Sequence, residues 1–296
     1  MRRILVSMAL ALALAAPAAS ETPAGGPLVS PAWLAEHLDD PSLVVLHVAA
    51  LREDYARGHI PGARFLWLNW LAESTPERGF EMAPVKTMKA SLEKLGVSSD
   101  SRIVICHVLG DATAAARVYV TLDYLGLRGR ASILDGGLEA WKAEGRPVTK
   151  EVPRVRRGHL APRLRDDVVA DLEQVRAQMK QPGVRLVDGR SAQAFNAPDA
   201  VGIVRGGHLP GALSIPATSV TDSLGRYQPA DTLRARFERA GVRPGERIIA
   251  YCGVGRSACP VLVAARILGY DVRLYDGSFE EWSRREDLPV ERTERK

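Results

Sequence analysis

Two pairs of short segments occur in the same order in both halves of the chain, and this duplication limits the possible folds more than any other feature of the sequence. GHIPGA at 58–63 returns as GHLPGA at 207–212, and LDGGLEAW at 134–141 returns as YDGSFEEW at 275–282. The copies lie much farther apart than the roughly 20–50 residues of a solenoid repeat. We therefore expect two domains that share one fold, one in each half of the chain.

Between these landmarks, each half shows the same alternation of strand and helix signals. RIVIC at 102–106 and RIIAYC at 247–252 are short apolar runs of the kind found in buried parallel strands. A helical pattern that ends at glycine precedes each run, and an apolar helical stretch follows it. The pattern predicts an α/β fold in which each domain has a mostly parallel sheet with helices on both faces.

One segment without periodicity separates the two halves. Residues 149–165 are rich in proline and arginine, which is typical of a linker. This assignment places the first domain at 27–148 and the second at 166–290, followed by a polar tail.

The first 20 residues have the order of a secretory signal peptide. Arg2 and Arg3 precede an apolar run, and small residues follow, with Ala16-x-Ala18 as the expected cleavage site. The run is shorter than the roughly 20 apolar residues of a transmembrane helix. The sequence therefore predicts an exported protein, periplasmic or secreted, that is not held in a membrane after cleavage.

The overall charge does not indicate a nucleic-acid partner. The formal net charge is +5, and removal of Arg2 and Arg3 with the signal leaves +3. No arginine-rich face or aromatic-interleaved strand accompanies this modest excess. The composition excludes nucleic-acid binding as the leading function.

The chain has three cysteines, Cys106, Cys252 and Cys259. An exported protein that depends on disulfides usually has more, in even number. No CxxC pair or clustered His/Cys set is present, so the sequence predicts neither a zinc site nor any other cofactor. The odd count and the glycine-rich sequence around Cys252 favour a free, working thiol, although a Cys106–Cys252 bridge stays open.

The segment Cys252-Gly253-Val254-Gly255-Arg256-Ser257 has the composition of an anion-binding loop. The cysteine stands at the carboxyl end of a strand, where open α/β sheets place ligands. The glycines allow successive N–H groups to point inward, the next helix adds partial positive charge, and Ser257 is a good N-cap. We expect these surroundings, with the Arg256 cation, to favour the thiolate and make Cys252 a nucleophile rather than one more buried cysteine.

The spacing of the arginine separates two kinds of chemistry. A C-x5-R phosphatase needs its arginine six positions after the cysteine, where this chain has Ala258. Arg256 comes only four positions after Cys252. This cradle is too short for a phosphate and fits a single sulfur atom carried on the cysteine.

The duplicated landmarks, with the cysteine loop in the second half only, resemble the tandem-domain rhodaneses, the thiosulfate and 3-mercaptopyruvate sulfurtransferases. The resemblance covers the mature chain almost end to end. It implies two tandem rhodanese-like domains and a double displacement, in which a thiolate takes sulfur from a small anionic donor and passes the persulfide sulfur to cyanide or a thiol.

The resemblance also implies roles for individual residues. Cys252 matches the persulfide-forming cysteine, and Gly253, Val254, Gly255, Arg256 and Ser257 match the amide cradle. Asp188 matches an acid close to the active-site loop, and Ser278 a serine that supports it, although each also fits a plain turn or helix cap. The family often carries an arginine where this chain has Ala194, which leaves Arg190, with Arg205 as a possible substitute for gripping the donor.

The loop sequence combines features of enzymes that use two different sulfur donors. CGVGRS has the glycines of the mercaptopyruvate enzymes, and it shares the presence of a cation, Arg256, with the thiosulfate enzymes. An arginine favours a doubly charged donor, so we expect thiosulfate, with 3-mercaptopyruvate as the alternative. A non-catalytic module that holds sulfane sulfur for a partner is the alternative of another class.

The first half lacks this chemistry. Aligning RIVICHV with RIIAYCGV places His107 at the position of Cys252, and His47 at that of Asp188. The following loop carries Asp111, which repels an anion, and Cys106 falls inside the strand as a core residue. We therefore expect the first domain to be non-catalytic and to support the fold.

Overall fold

The computed structural model describes residues 26–75, 79–197 and 205–292. The predicted signal peptide, 1–20, lies outside these residues. Over the described ranges, no helix has both the length and the apolar character needed to cross a membrane.

Each half of the chain forms one five-stranded sheet. The first domain has strands β1 (Leu28–Val29), β2 (Leu43–Ala49), β3 (Arg64–Trp67), β4 (Ala72–Glu73), β5 (Glu81–Met82), β6 (Arg102–His107) and β7 (Ala131–Leu134). Its helices are α1 (Pro31–Glu36), α2 (Arg52–Arg57), α3 (Val85–Lys94), α4 (Ala112–Tyr124) and α5 (Gly137–Ala143). The sheet has the order β1-β7-β6-β2-β3, and β4 and β5 form a separate hairpin.

The second domain repeats this arrangement. Its strands are β8 (Val169–Ala170), β9 (Val184–Asp188), β10 (Leu213–Ser214), β11 (Arg247–Tyr251) and β12 (Val272–Tyr275). Its helices are α6 (Leu172–Gln178), α7 (Ala192–Asn196), α8 (Ala230–Ala240), α9 (Ala258–Ile267) and α10 (Ser278–Arg284). The order β8-β12-β11-β9-β10 matches the first sheet strand for strand, and all pairs in both sheets are parallel. The predicted α/β fold with two like domains is confirmed.

Both faces of each sheet are covered, as buried parallel strands require. Alternate side chains of β2 enter different cores: Val44, Leu46 and Val48 the inner one, Leu43 and Val45 an outer one. The inner core runs through both domains and contains α4 and α9, which pack against each other. The two domains therefore share one continuous apolar interior.

Two equivalent hydrogen bonds close the domain interface. Asp135, after β7, accepts from the amide of Tyr227 at 2.9 Å. Asp276, after β12, accepts from the amide of Met82 at 2.9 Å. Each aspartate belongs to a repeated DG turn, so the duplicated sequence motif builds a pseudo-symmetric clamp between the domains.

The segment predicted as a linker lies along the first domain. Between Lys150 and Arg165 the chain forms no helix or strand. The Arg163 amide donates to the Leu125 carbonyl at 3.0 Å, and the Leu160 amide donates to the Glu93 carboxylate at 3.1 Å.

The repeated GHxPGA landmarks have a structural role in both domains. His59 is buried and stacks on Tyr55 at 3.7 Å between ring centroids, and its backbone pairs with Thr149. His208 stacks in the same way on Phe195. Both domains share these contacts, which fix the turn at each landmark.

Candidate active site

Cys252 lies at the centre of the second sheet. It follows β11 directly, and β11 pairs with β9 on one side and β12 on the other, so the thiol stands where neighbouring strands end together. Only 1% of Cys252 is exposed. A Cβ atom built on Gly253 would meet no atom within 4 Å, which marks open space beside the thiol loop. The thiol is thus almost enclosed, while the backbone next to it borders open space.

Ser278 holds the loop in shape. Its Oγ accepts from the amide of Cys252 at 3.1 Å and from the amide of Gly255 at 3.0 Å, and donates to the Tyr275 carbonyl at 2.8 Å. The residue is buried and has a left-handed φ of 54°. One hydroxyl thus satisfies three backbone groups and fixes both ends of the turn.

The start of α10 holds two carbonyls at the beginning of the loop. The amides of Phe279 and Glu280 donate to the carbonyls of Cys252 and Gly253, each at 2.9 Å. Gly255 has a φ of 71°, and a Cβ there would lie 2.6 Å from the Asp276 carbonyl oxygen, so only glycine fits. These contacts engage two of the loop carbonyls, and the loop backbone also offers its N–H groups.

Four of these N–H groups belong to Gly253, Val254, Arg256 and Ser257. No acceptor contacts them among the residues that the structure describes. Successive unpaired amides at a helix N-terminus form an anion-binding nest. Ser257 occupies the N-cap position of α9, as predicted, but its side chain makes no capping bond because its backbone is already helical.

Arg117 reaches this loop from the silent domain, and sequence reasoning missed it. The side chain is buried on α4, donates to the Gly255 carbonyl at 2.9 Å and to the Phe80 carbonyl at 3.1 Å, and pairs with Asp276. Burial alone would lower the pKa of Arg117, but the Asp276 carboxylate raises it above its ordinary value. The signal for this residue in the sequence is a lone arginine in the apolar run ATAAARVYV. A cation buried in such a helix requires a charged or hydrogen-bonding partner.

The other two cysteines are protonated at neutral pH. Burial raises the pKa of Cys259 to about 12, against the opposing effect of the Arg117 guanidinium, and the Cys259 thiol donates to the Gly255 carbonyl. Burial also raises the pKa of Cys106 far above its ordinary value. Neither residue is a nucleophile at pH 7, and both are unbridged.

Asp188 and Arg190 form a buried ion pair beneath the site. Arg190 donates to the Asp188 carboxylate at 2.6 and 3.0 Å and to the Gly207 carbonyl at 2.8 Å, with its guanidinium 4.2 Å from the Phe279 ring centroid. The pair therefore links β9 to the start of α10 and holds the elements around the loop. Its Nε and Nη2 are engaged, whereas no acceptor among the described residues contacts its buried Nη1.

Arg205 was the suggested substitute for a donor-gripping arginine. Its guanidinium instead donates to the carbonyls of Ser283 at 3.0 Å and Arg285 at 2.7 Å, at the end of α10. A cation at a helix C-terminus satisfies carbonyls that lack an intrahelical partner. Arg205 therefore caps the C-terminal end of α10, and we do not assign it a role in donor binding.

Arg256 has a partner that the sequence did not indicate. The sequence predicts a cation beside the thiol, and in the structure Arg256 pairs with Asp111 of the silent domain at 2.7 Å. Its guanidinium lies 5.7 Å from the centroid of the Phe80 ring. The loop's only arginine is therefore already held by the other half of the chain.

The equivalent site in the first domain is filled. In the strand register, His47 lies opposite Cys106 in the first sheet, and Asp188 lies opposite Tyr251 in the second. His107 and Cys252 are the next residues, so they occupy equivalent positions, as the alignment predicts. The His107 ring would lie 2.6 Å from a Cβ built on Gly137, which stands in place of Ser278. Burial lowers the pKa of His107 to about 4, so a neutral ring occupies the space of a cradle.

The described residues contain no group of three or more His, Cys, Asp or Glu side chains able to hold a metal ion.

Removing the Ser278 hydroxyl tests the support of the loop. We expect Ser278→Ala to cost about 2 kcal/mol of folding stability, because buried amides lose their acceptor. We also expect the reaction of Cys252 with a sulfur donor to slow about tenfold or more, because the loop loses its geometry. Stopped-flow sulfur loading and denaturant unfolding measure the two effects.

Ser283→Ala is the matched control. That serine is also buried on α10, but its hydroxyl only donates to the Glu280 carbonyl of the same helix. Equal slowing in the two variants would contradict a specific role for Ser278.

Comparison with known proteins agrees with this geometry. The model of the rhodanese-like domain matches residues 30–144 and 171–285. The chain is 31% identical over 271 residues to the 3-mercaptopyruvate sulfurtransferase of Escherichia coli (strain K12), with 88% of this chain and 95% of that protein covered. It is 29% identical to the thiosulfate sulfurtransferase of Azotobacter vinelandii, with 89% of this chain and 96% of the relative covered.

Two further comparisons cover the same length. The sulfur carrier protein TtuD of Thermus thermophilus is 32% identical over 90% of this chain and 97% of its own. The crystal structure of SseA from Escherichia coli, described as a 3-mercaptopyruvate sulfotransferase, superposes with a TM-score of 0.78 at 29% identity and covers 86% of this chain and 98% of its own. The chain belongs to the rhodanese family of sulfurtransferases and consists of two rhodanese-like domains in tandem.

Proposed function

We propose that Cys252 takes a sulfur atom from a small anionic donor, carries it as a persulfide and passes it to cyanide or a thiol. The observation that carries this proposal is the loop that follows Cys252 directly, in which the amides of Gly253, Val254, Arg256 and Ser257 have no acceptor among the described residues. The filled silent site supports a single reaction centre per chain.

The first half-reaction is a displacement at sulfur. The Cys252 thiolate attacks the donor's sulfur, a new S–S bond forms, and the electron pair of the broken bond leaves with the rest of the donor. Thiosulfate releases sulfite. From 3-mercaptopyruvate, the carbon takes the electron pair and the proton of the donor thiol, which gives pyruvate. In both cases the negative charge ends on the outer persulfide sulfur, where the loop amides stabilise it.

The second half-reaction restores the thiolate. Cyanide or a thiolate attacks the outer sulfur, the S–S bond breaks, and its electron pair returns to the Cys252 sulfur. Thiocyanate or a new persulfide leaves. No net oxidation occurs, so the cycle needs no further cofactor.

The ion pair of Arg256 changes the expected donor. The arginine in the loop was the reason to favour thiosulfate, but Asp111 balances its charge at 2.7 Å. A loop with less net positive charge has a smaller preference for a dianion. We therefore propose 3-mercaptopyruvate as the better donor and thiosulfate as the second one.

Steady-state turnover separates an enzyme from a sulfur carrier, the alternative that the likeness to TtuD favours. We expect repeated formation of thiocyanate and pyruvate from 3-mercaptopyruvate and cyanide, with lower kcat/KM for thiosulfate. Formation of at most one equivalent per chain would support the carrier, and a higher kcat/KM for thiosulfate would overturn the assigned donor.

Arg256→Ala tests whether the loop charge discriminates between donors. The variant leaves Asp111 without its partner, so an anionic donor meets a more negative site. We expect kcat/KM to fall about tenfold for thiosulfate and about threefold for 3-mercaptopyruvate, because the electrostatic energy is proportional to the charge of the donor. Initial rates at fixed ionic strength measure both values.

Arg239→Ala is the control, since it removes one exposed arginine on α8, which bonds only to the Ala235 carbonyl of its own helix. An equal decrease in kcat/KM for both donors in Arg256→Ala would contradict discrimination by donor charge.

We further propose that residues 1–20 direct export and are removed. Arg2, Arg3 and the apolar run that follows support this proposal. N-terminal sequencing of the protein from the periplasm or medium tests it: a start close after Ala18 agrees, whereas an intact start at Met1 contradicts it.

A further inference from the structure

The silent domain holds the only arginine of the cysteine loop. The Arg256 guanidinium contacts Asp111 at 2.7 Å and lies over the Phe80 ring, and both partners belong to the first domain. Within the described residues, no acceptor contacts the enclosed Nε of Arg256. The guanidinium is thus tied to the first domain while part of its hydrogen-bonding capacity is unused.

Asp111 is placed for this contact by the loop that distinguishes the silent half. The loop between β6 and α4, residues 108–111, is shorter than the loop between β11 and α9, residues 252–257. It ends at Asp111, the N-cap of α4, which accepts from the Ala114 amide at 3.2 Å. Leu109 in this loop is 74% exposed and has a left-handed φ of 53°. An apolar residue rarely adopts this conformation, so the loop is bent in a manner that carries Asp111 towards the other domain.

The ion pair is weak enough to be exchanged. The side chains of Arg256 and Asp111 are 40% and 41% exposed. Half-exposed pairs of this kind contribute about 0–1 kcal/mol, because water screens them. An anionic donor can therefore compete with Asp111 for the guanidinium.

We propose that Asp111 is a specificity-determining residue: by pairing with Arg256 it withholds the cation from dianionic donors. The silent domain would then set the relative use of thiosulfate and monoanionic donors by the active domain. This proposal rests on the sulfurtransferase function proposed above.

Asp111→Asn is the suitable variant, because asparagine caps a helix as well as aspartate while it removes the charge. We expect kcat/KM to rise about tenfold for thiosulfate and about threefold for 3-mercaptopyruvate. Since the energy is proportional to donor charge, the factor for the dianion should be about the square of the factor for the monoanion. That relation is independent of the exact dielectric constant.

Asp100→Asn is the matched control. Asp100 is exposed before β6, at the opposite end of the strand from the loop, and the change removes the same unit of charge. We expect no change with either donor. A rise equal to that of Asp111→Asn would show an effect of net charge and would overturn the proposal.

A second background tests whether Asp111 acts through Arg256. In Arg256→Gln protein, we expect Asp111→Asn to give a clearly smaller gain, because no guanidinium is left to release. Equal gains in the two backgrounds, or equal factors for the two donors, would contradict the proposal. Failure of the underlying function is distinguishable, because the unsubstituted protein would then turn over neither donor.

Discussion

Cys252→Ser is expected to abolish turnover with thiosulfate and with 3-mercaptopyruvate, by roughly a thousandfold or more. A serine hydroxyl is not ionised at neutral pH and forms no persulfide, so both half-reactions lose their sulfur carrier. The change removes little volume from a site that is 1% exposed, so the free energy of unfolding should change little. Discontinuous thiocyanate assays and denaturant unfolding measure the two quantities.

The other two cysteines provide controls for this prediction. Cys259→Ser keeps a donor for the Gly255 carbonyl, and Cys106→Ala keeps a small side chain in the first-domain core. We expect both variants to retain turnover. Full activity of Cys252→Ser, or equal losses in all three variants, would show that the nucleophile has been assigned wrongly.

Arg117→Leu is expected to have the largest effect on stability. It leaves the Asp276 carboxylate without its buried partner and the Phe80 carbonyl without a donor, and the Gly255 carbonyl keeps only the weak donor of the Cys259 thiol. Breaking one side of a buried ion pair costs about 3–5 kcal/mol. Because Gly255 belongs to the cysteine loop, sulfur loading of Cys252 should also slow at least tenfold.

Arg117→Lys distinguishes charge from geometry if the leucine variant does not fold. Lysine keeps the charge near Asp276 but has one donor group in place of a fork, so it cannot span the three partners. We expect a stable protein with slowed sulfur loading. Normal loading in a folded Arg117→Lys or Arg117→Leu protein would contradict the assigned support of the loop by the silent domain.

The repeats in the sequence were sufficient to predict the fold, and they placed the candidate nucleophile, Cys252, at the end of a strand, where it directly follows β11. Buried parallel strands and glycine-bounded turns are local patterns of the sequence. The duplicated landmarks align His107 with Cys252 and His47 with Asp188 from the sequence alone. The register of the two sheets agrees with this alignment.

The charges around the loop were not predictable from the sequence in the same way. The Arg117–Asp276 and Arg256–Asp111 contacts join residues 159 and 145 positions apart, across an interface between domains. No local pattern specifies such pairs. For this reason the sequence did not reveal that a carboxylate engages Arg256 and that three helix-end carbonyls engage Arg205.

Mass spectrometry of the intact protein after incubation with 3-mercaptopyruvate, followed by peptide mapping, tests the central claim most directly. The account predicts a gain of one sulfur atom, located on Cys252, that disappears when cyanide is added. A protein that gains no sulfur from either donor, or one that carries it on Cys106 or Cys259, would contradict it.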